Sequence, residues 1–341
     1  LGGLFCALIA PLIFDWVYEH PLLVLAAALL IPLPPLIPWG NWLKLNAQGH
    51  RIVALALSLV AMLLGNWLAL SWTGYFGTGE IIAIGALVFI GLAAIGWRLA
   101  YIVTLVCLMI GFGGLETLQI SASGDRVRSY FGVYTIREDT QNHRRLLSHG
   151  TTLHGTQLTE PGKELTATSY YGPTTGVGLA FSRASQLYGP DAAIGVVGLG
   201  SGTLACYRQP GQNWTFFEID PAMVHIARDN GRYTFMPRCA PGVPIILGDA
   251  RLKLQEVPAQ SFDLLAIDAF SSDAIPLHLL TEEAFAVYQR AVRPDGVVLV
   301  HISNRYINLE PVLHALVQHD GWSAMLRYDN PEAEDIALAR T

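Results

Sequence analysis

Charge is what this chain has least of. Of its 341 residues 14% are Asp, Glu, Lys or Arg, against about 25% in ordinary globular proteins. Only seven of these 48 fall in the first 120 residues (Asp15, Glu19, Lys44, Arg51, Glu80, Arg98 and Glu116). A front so poor in charge excludes a single soluble domain, and the high apolar content excludes a disordered chain. Cysteine is scarce as well. Cys6, Cys107, Cys206 and Cys239 are too few and too scattered for a disulfide framework or a zinc site. Cys6 and Cys107 sit in apolar runs as core thiols, and a reducing compartment fits the rest. A basic excess is also missing: after residue 120 there are 18 basic and 23 acidic residues, which gives no footprint for nucleic acid. Internal repeats and low-complexity stretches are absent. The opening LGGLFCALIAP has no Met, no basic flank and no small-residue cleavage site of a signal peptide. It is expected to be a piece of a longer membrane protein with further helices upstream.

What the front does have is length of apolar run. Residues 51–72 carry no charge after Arg51, and residues 81–97 and 99–115 carry none. At about 1.5 Å per residue these reach, or nearly reach, a hydrocarbon core of roughly 30 Å. Residues 21–38 form a fourth run, broken at its end by Pro32, Pro34, Pro35 and Pro38, and residues 1–17 a fifth. Trp16, Tyr18, Trp39, Trp42, Trp72 and Tyr75 stand at the run ends, where amphipathic rings anchor to an interface. The expectation is a transmembrane helical segment of about five helices over 1–116, in contact with a lipid bilayer. Basic residues do not orient it: Lys44, Arg51 and Arg98 would face one side, and Arg126, Arg128 and Arg137 the other.

The back of the chain has a different rhythm. Residues 127–139, 143–150 and 151–158 are β-rich with turn punctuation between them, which predicts three short antiparallel strands and a small β-domain over 117–170. From 171 to 341 short apolar runs (192–200, 214–220, 243–250, 262–270, 296–303 and 322–329) alternate with helical stretches at 221–231, 250–256, 281–292 and 309–319. Alternation of this kind predicts βαβ units, a parallel sheet and a Rossmann-like fold, whose ligand sits beyond the carboxyl ends of the strands.

Each strand end carries something small or polar. The first is Gly198-Leu-Gly200-Ser201-Gly202, where glycines admit a ligand close to the backbone. The second, Glu218-Ile-Asp220, places acids 20 and 22 residues after Gly198, the offset of a ribose-binding acid. The third is Gly248-Asp249-Ala250 and the fourth runs from Asp268 to Asp273. Together they point to a nucleoside ligand. His278 and His301 also lie near strand ends without forming a metal-ligand cluster, and no metal is expected.

The G-x-G-x-G spacing fits the S-adenosylmethionine-type methyltransferase fold better than a dinucleotide fold. With the order EID, GDA and D-x-F-S-S-D, the soluble part resembles the spermidine synthase family of polyamine aminopropyltransferases. More closely, the chain resembles bacterial membrane-fused spermidine synthase-like proteins. The resemblance implies a small β-domain before the Rossmann-like domain and decarboxylated S-adenosylmethionine as donor. It implies a polyamine or related amine as acceptor, and pairing of two copies through the β-domain. By the same resemblance Gln157 touches the donor, Glu218 holds the ribose, Asp249 and Ala250 meet the adenine, Asp268 helps deprotonate the amine and Tyr170 stands beside it. Since the donor is made inside the cell, the resemblance implies a bacterial inner-membrane protein with its soluble domain in the cytoplasm.

Three positions depart from the family's pattern. Ser201 stands where the glycine loop carries an aspartate for the donor's ammonium. Tyr170-Tyr171-Gly172 replaces a Tyr-His-Glu stretch, and Asp268 and Asp273 are spaced more widely than the acids of the family's DSSD, although Asp273 remains available to a cation. Ser201 keeps open a methyltransferase using S-adenosylmethionine itself, because an aspartate there would repel that donor's carboxylate. A non-catalytic nucleoside- or polyamine-binding membrane module is the third reading. Plainer roles also stand beside the chemical ones. Asp268 or Asp273 would cap the helix near Thr281, Glu218 would be a solvated strand end and Gln157 would close a hairpin. His149 and His154 would be turn residues, with a catalytic histidine as the alternative, and Tyr171 and Tyr188 would pack. No apolar run after residue 330 remains for the antiparallel seventh strand usual in such a domain, a second sign of a piece.

Overall fold

The computed structural model describes residues 2–30, 44–71, 77–150, 152–270, 275–303 and 307–329. Two compact units divide it, Leu1–Arg126 and Val127–Thr341.

In the first unit the helices Ala47–Ser71 and Arg98–Ala122, each of 25 residues, are long and apolar enough to cross a membrane by length and composition. Each rises about 37 Å at 1.5 Å per residue. Gly2–Ile13, Glu19–Leu30 and Thr78–Ala93 are apolar but shorter. The five expected runs therefore yield two helices of spanning length among the described residues. A run of uncharged residues does not reveal where the backbone turns: the run 81–97 stops being helical after Ala93, ahead of Gly96 at φ +105°. The helix Arg98–Ala122 bends at Phe112 and at Gly113 (φ +83°) and continues to Ala122, beyond the expected boundary at 116. Small residues let these helices meet closely. A Cβ on Gly65 would stand 2.7 Å from the Cβ of Cys107, and one on Gly111 would stand 3.0 Å from Leu68, as membrane-type helix packing favours. The outward faces are apolar, with Leu70 78% exposed. Trp39, Trp42, Trp72 and Tyr75 lie outside the described residues.

The second unit holds two sheets. Strands β1 (Arg126–Arg128), β2 (Val133–Asp139), β3 (Arg144–His149) and β4 (Thr152–Leu158) follow one another in order, with β2–β3 and β3–β4 antiparallel. The expected first strand is two, because Ser129 N–H donates to Gly132 O (2.9 Å) and closes a turn inside it. The second sheet contains β5 (Ala193–Val197), β6 (Asn213–Glu218), β7 (Ile245–Leu247), β8 (Phe262–Ile267) and β9 (Val292–Val300). Their order is β7-β6-β5-β8-β9, all parallel. The order reverses beside β5, between β5 and β8, where a doubly wound sheet opens a crevice.

Side chains on these strands alternate between two cores. Ile194, Val196, Phe216, Leu264 and Ala266 face one; Val197, Phe217, Leu265 and Ile267 face the other, against Phe285 and Tyr288 of the helix Glu282–Ala291. That helix is capped by Thr281, whose Oγ1 accepts from Ala284 N–H, and not by Asp268. Acidic Glu282 and Glu283 sit in its first turn and Arg290 in its last, as the helix dipole favours.

Two expectations fail in this unit. Residues 322–329 form no strand: the run contains Ser323, Arg327 and Asp329, and Met325 is 95% exposed, so it lacks the two-sided apolar character of a parallel-sheet strand. Cys206 and Cys239, judged too scattered to pair, form a disulfide with their Cα atoms 4.8 Å apart. Their 33-residue separation is closed because the short helices Thr203–Tyr207 and Phe235–Cys239 pack side by side, with Met236 against Gly202.

Candidate active site

Strand ends build the site. At the end of β5 the chain turns at Gly198 (φ +97°), where a Cβ would lie 2.3 Å from Asp268 O. Only glycine allows the loop to run this close to the end of β8. Asp268 N–H donates to Val197 O and His301 N–H to Ile267 O. The first residues past β5, β8 and β9 therefore lie side by side.

Asp268 is the centre of this row. Its Oδ2 accepts from the Tyr171 hydroxyl at 2.5 Å, and its Oδ1 meets Nδ1 of His301 at 2.6 Å. The side chain is 8% exposed. The imidazole of His301 packs against the rings of Tyr170 and Phe270, with centroids 4.8 Å away on each, and its Nε2 meets Ser303 Oγ. Burial and the Asp268 charge push the Tyr170 and Tyr171 phenols far up, so both stay protonated and Tyr171 acts as a donor. Tyr171, expected to pack, thus bonds the acid, whereas the Tyr170 ring packs at a tilt against Tyr171 (centroids 4.3 Å) and against His301. Asp273 lies outside the described residues.

Cavities open on both sides of Asp268, and Tyr170 and Tyr171 border both. The first, of about 320 Å³, runs over the ends of β5, β6 and β7. It falls within the range of small-molecule sites, about 300–1,000 Å³. Gly198, Gly200, Glu218, Asp249, Ala250 and Asp268 line it. Glu218 accepts Leu199 N–H at 3.0 Å and Asp220 N–H at 2.9 Å. Burial pushes its carboxyl up to about 6, against the pull of those backbone hydrogen bonds. Asp249 caps the helix Ala250–Glu256 by accepting Leu252 N–H, and its other oxygen meets His278 Nε2 at 3.0 Å. His149 and His154 also border this cavity, and burial pushes His149 down toward its neutral form. The second cavity, of about 910 Å³, is bordered by His301, Ser303, Asn308, Glu310, Arg327 and Tyr328. Among the described residues no three His, Cys, Asp or Glu side chains group as metal ligands.

Four expected donor contacts lie elsewhere. Gln157 donates through Nε2 to Glu164 O (2.9 Å) and to Thr234 Oγ1 (2.7 Å), joining β4 to the Rossmann-like layer; His154, on the same strand, borders the cavity instead. Asp220 caps the helix Pro221–Val224 by accepting Ala222 N–H and accepts from Ser129 Oγ of the β-domain. Ser201 is fully buried, its hydroxyl 3.0 Å from Thr203 Oγ1, in the space left by Gly155. Gly202 (φ +87°) packs on Met236. In each case a nearer protein partner takes the side chain or backbone that resemblance, for Gln157, or strand-end position, for the other three, assigned to a ligand. His301, read as lying near a strand end, was not read as a partner of Asp268: VLVHIS sets it one residue past a strand, as LLAID sets Asp268, and adjacency of β8 and β9 makes them neighbours.

No family model matches the chain. It is 25% identical over 198 residues to a probable polyamine aminopropyl transferase of Bifidobacterium longum, covering 57% of this chain and 40% of that one. It is 27% identical over 124 residues to a polyamine aminopropyltransferase of Vibrio vulnificus, covering 35% and 40%. The chain thus spans well under half the length of either curated relative. A probable spermidine synthase structure from Corynebacterium glutamicum overlays with a TM-score of 0.44 and 21% identity, covering 51% of this chain and 62% of that one.

Proposed function

We propose that this spermidine synthase-like chain is a membrane-anchored transferase that moves an aminopropyl group from decarboxylated S-adenosylmethionine to a polyamine or related amine. The observation that carries the reading is the charge of the smaller cavity. Glu218, Asp249 and Asp268 border it, and no Lys or Arg does among the described residues. A cationic sulfonium with an amine tail suits such walls, whereas an intact amino-acid carboxylate meets no cation there. That answers the departure at Ser201, which is turned away from the cavity and has no aspartate's charge to supply.

In this reading Glu218 accepts the ribose hydroxyls and Asp249 with Ala250 borders the base. The larger cavity, beyond Asp268, receives the amine. An alkyl group on a sulfonium is already activated, so the protein's part is to align the two reactants and accept a proton. The helices Ala47–Ser71 and Arg98–Ala122 anchor the chain in a bilayer, with the soluble unit on the cytoplasmic side where such a donor is made. The β-domain sheet is the surface through which two copies would pair.

Donor preference of the detergent-purified protein tests the reading. At 100 times its dissociation constant a ligand stabilises by about 2.7 kcal/mol, so the decarboxylated donor is expected to raise the melting temperature well above the effect of S-adenosylmethionine at equal concentration. A stronger shift with S-adenosylmethionine would make a methyltransferase the working reading; no shift with either would leave a non-catalytic module. Asp268→Asn is expected to abolish turnover while the donor-induced shift remains.

A further inference from the structure

The geometry around Asp268 points to His301, and not the aspartate, as the group that takes the proton from the attacking amine. We infer that Asp268 and His301 form a carboxylate–imidazole dyad, with Asp268 as its positioning residue. The inference rests on the transfer reading above, but on neither the donor's identity nor the length of the group transferred.

Both oxygens of Asp268 are already engaged, Oδ2 by the Tyr171 hydroxyl and Oδ1 by His301 Nδ1. A carboxylate oxygen at Nδ1 accepts the ring hydrogen there and leaves Nε2 as the accepting nitrogen. His301 and Ser303 both border the 910 Å³ cavity, and Nε2 meets the Ser303 hydroxyl, whose place a hydrogen of the bound ammonium would take. Nothing about the ring is left loose. Its backbone N–H continues the β8–β9 register onto Ile267 O at 3.0 Å, and the rings of Tyr170 and Phe270 pack against it at tilted angles, each 4.8 Å away between centroids. A ring so held can receive a proton at one atom only.

The step balances as follows. The bound ammonium gives one proton to His301 Nε2, and the imidazolium formed is held by Asp268 Oδ1. The freed amine nitrogen attacks the carbon next to the sulfonium; the carbon–nitrogen bond forms, the carbon–sulfur bond breaks, and its electron pair stays on sulfur as a neutral thioether. The product leaves as a secondary ammonium, and Nε2 returns its proton to water through the cavity.

His301→Ala, His301→Gln and wild type separate this role from a structural one, using the full chain in detergent, decarboxylated S-adenosylmethionine and a panel of primary diamines. His301→Ala is expected to lower kcat by about 10²–10⁴-fold, with donor affinity changed by less than about threefold. Added imidazole is expected to fill the space left beside Tyr170 and Phe270 and restore activity in a concentration-dependent way. His301→Gln can still donate to Asp268 but cannot take the proton, so it is expected to be as slow as His301→Ala. A His301→Gln enzyme within about threefold of wild type would overturn the inference, because orientation of Asp268 would then be the ring's whole task. Wild type that transfers a methyl group from S-adenosylmethionine, and loses it in His301→Gln, would sink the aminopropyl reading and leave the dyad standing. Wild type that binds a donor but transfers nothing to any amine would sink both.

Discussion

At the scale of single residues, Tyr171 holds Asp268, and Glu218 borders the smaller cavity. The Tyr171 hydroxyl holds one oxygen of Asp268 at 2.5 Å. A hydrogen bond to a charged group contributes about 1.5–3 kcal/mol, so Tyr171→Phe is expected to lower kcat by about ten- to a hundredfold, with the donor-induced thermal shift unchanged. Tyr170→Phe, lacking any such bond to Asp268, should have the smaller effect under the same assay. Glu218 makes a pH prediction. Its carboxyl is pushed from an ordinary 4.5 to about 6 by burial. The folded form binds its proton more tightly than the unfolded chain does, so this group's contribution to stability is fully present below 4.5 and is lost as pH rises through about 6. The loss is on the order of 2 kcal/mol, at about 1.4 kcal/mol per unit. In the proposed reading only the ionised form accepts two ribose hydroxyls. Donor affinity at pH 5 is therefore expected to be about tenfold weaker than at pH 7.5, and calorimetric titration of Glu218→Gln should show that dependence flattened. How much of this was legible is clear residue by residue. Asp268, Glu218 and Asp249 were found from strand-end position alone, and all three border the smaller cavity. The pairing of Tyr171 and His301 with Asp268 was not read, because the partners stand 97 and 33 positions apart, a distance that no local pattern encodes.

Strands and turns set the precision of that arrangement. Gly198 is the one glycine of its loop whose missing Cβ lets β5 and β8 end together: its φ is +97° and the nearest atom to a Cβ would be Asp268 O. Gly198→Ala is expected to cost at least about 1–3 kcal/mol in backbone strain and, by displacing Asp268, to abolish turnover. Gly162→Ala is a matched control, since its φ is also positive (+86°) but a Cβ there meets nothing within 4 Å. A drop in melting temperature of several degrees more for Gly198→Ala than for Gly162→Ala would locate the cost in the close approach; equal drops would place it in the backbone conformation alone. Element type was readable for β5, β6, β8 and β9, where β-branched and apolar residues run continuously between glycine or acid punctuation. It was misread at 322–329, where apolar residues are present but no sheet edge takes them, and at the turn between β1 and β2.

For the whole molecule, the Cys206–Cys239 bridge is the feature that ties covalent chemistry to the fold. Closing a loop of 33 residues stabilises by about 3–4 kcal/mol in the chain-entropy account. Reduction of the purified protein is expected to lower the melting temperature of the second unit accordingly, with no change in Cys206→Ser/Cys239→Ser. The bridge also tests the proposed orientation, because disulfides persist in oxidising compartments and are rare in the cytoplasm. A cytoplasmic soluble unit predicts that both thiols are alkylated by a membrane-permeant reagent in intact cells and pair only after lysis. Thiols blocked until a reductant is added would put the unit on the oxidising face and overturn the cytoplasmic placement. The first unit is expected to stay with the membrane fraction through high salt and alkaline washing; release by salt would argue against its two long apolar helices as anchors.

The amino-acid order by itself determined the division into an apolar front and a charged back, the alternation of strands and helices, and the acids at the strand ends. Each of these follows from local composition or a short period, which a single stretch of chain carries. Only the tertiary structure decided which polar groups face a cavity and which face one another. Gln157, Asp220 and Ser201 found protein partners, Tyr171 and His301 found Asp268, and Cys206 found Cys239. Those pairings depend on the order of strands in the sheet and on the packing of short helices. They are satisfied across tens of residues, where the cost of leaving a buried polar group unmet selects the partner.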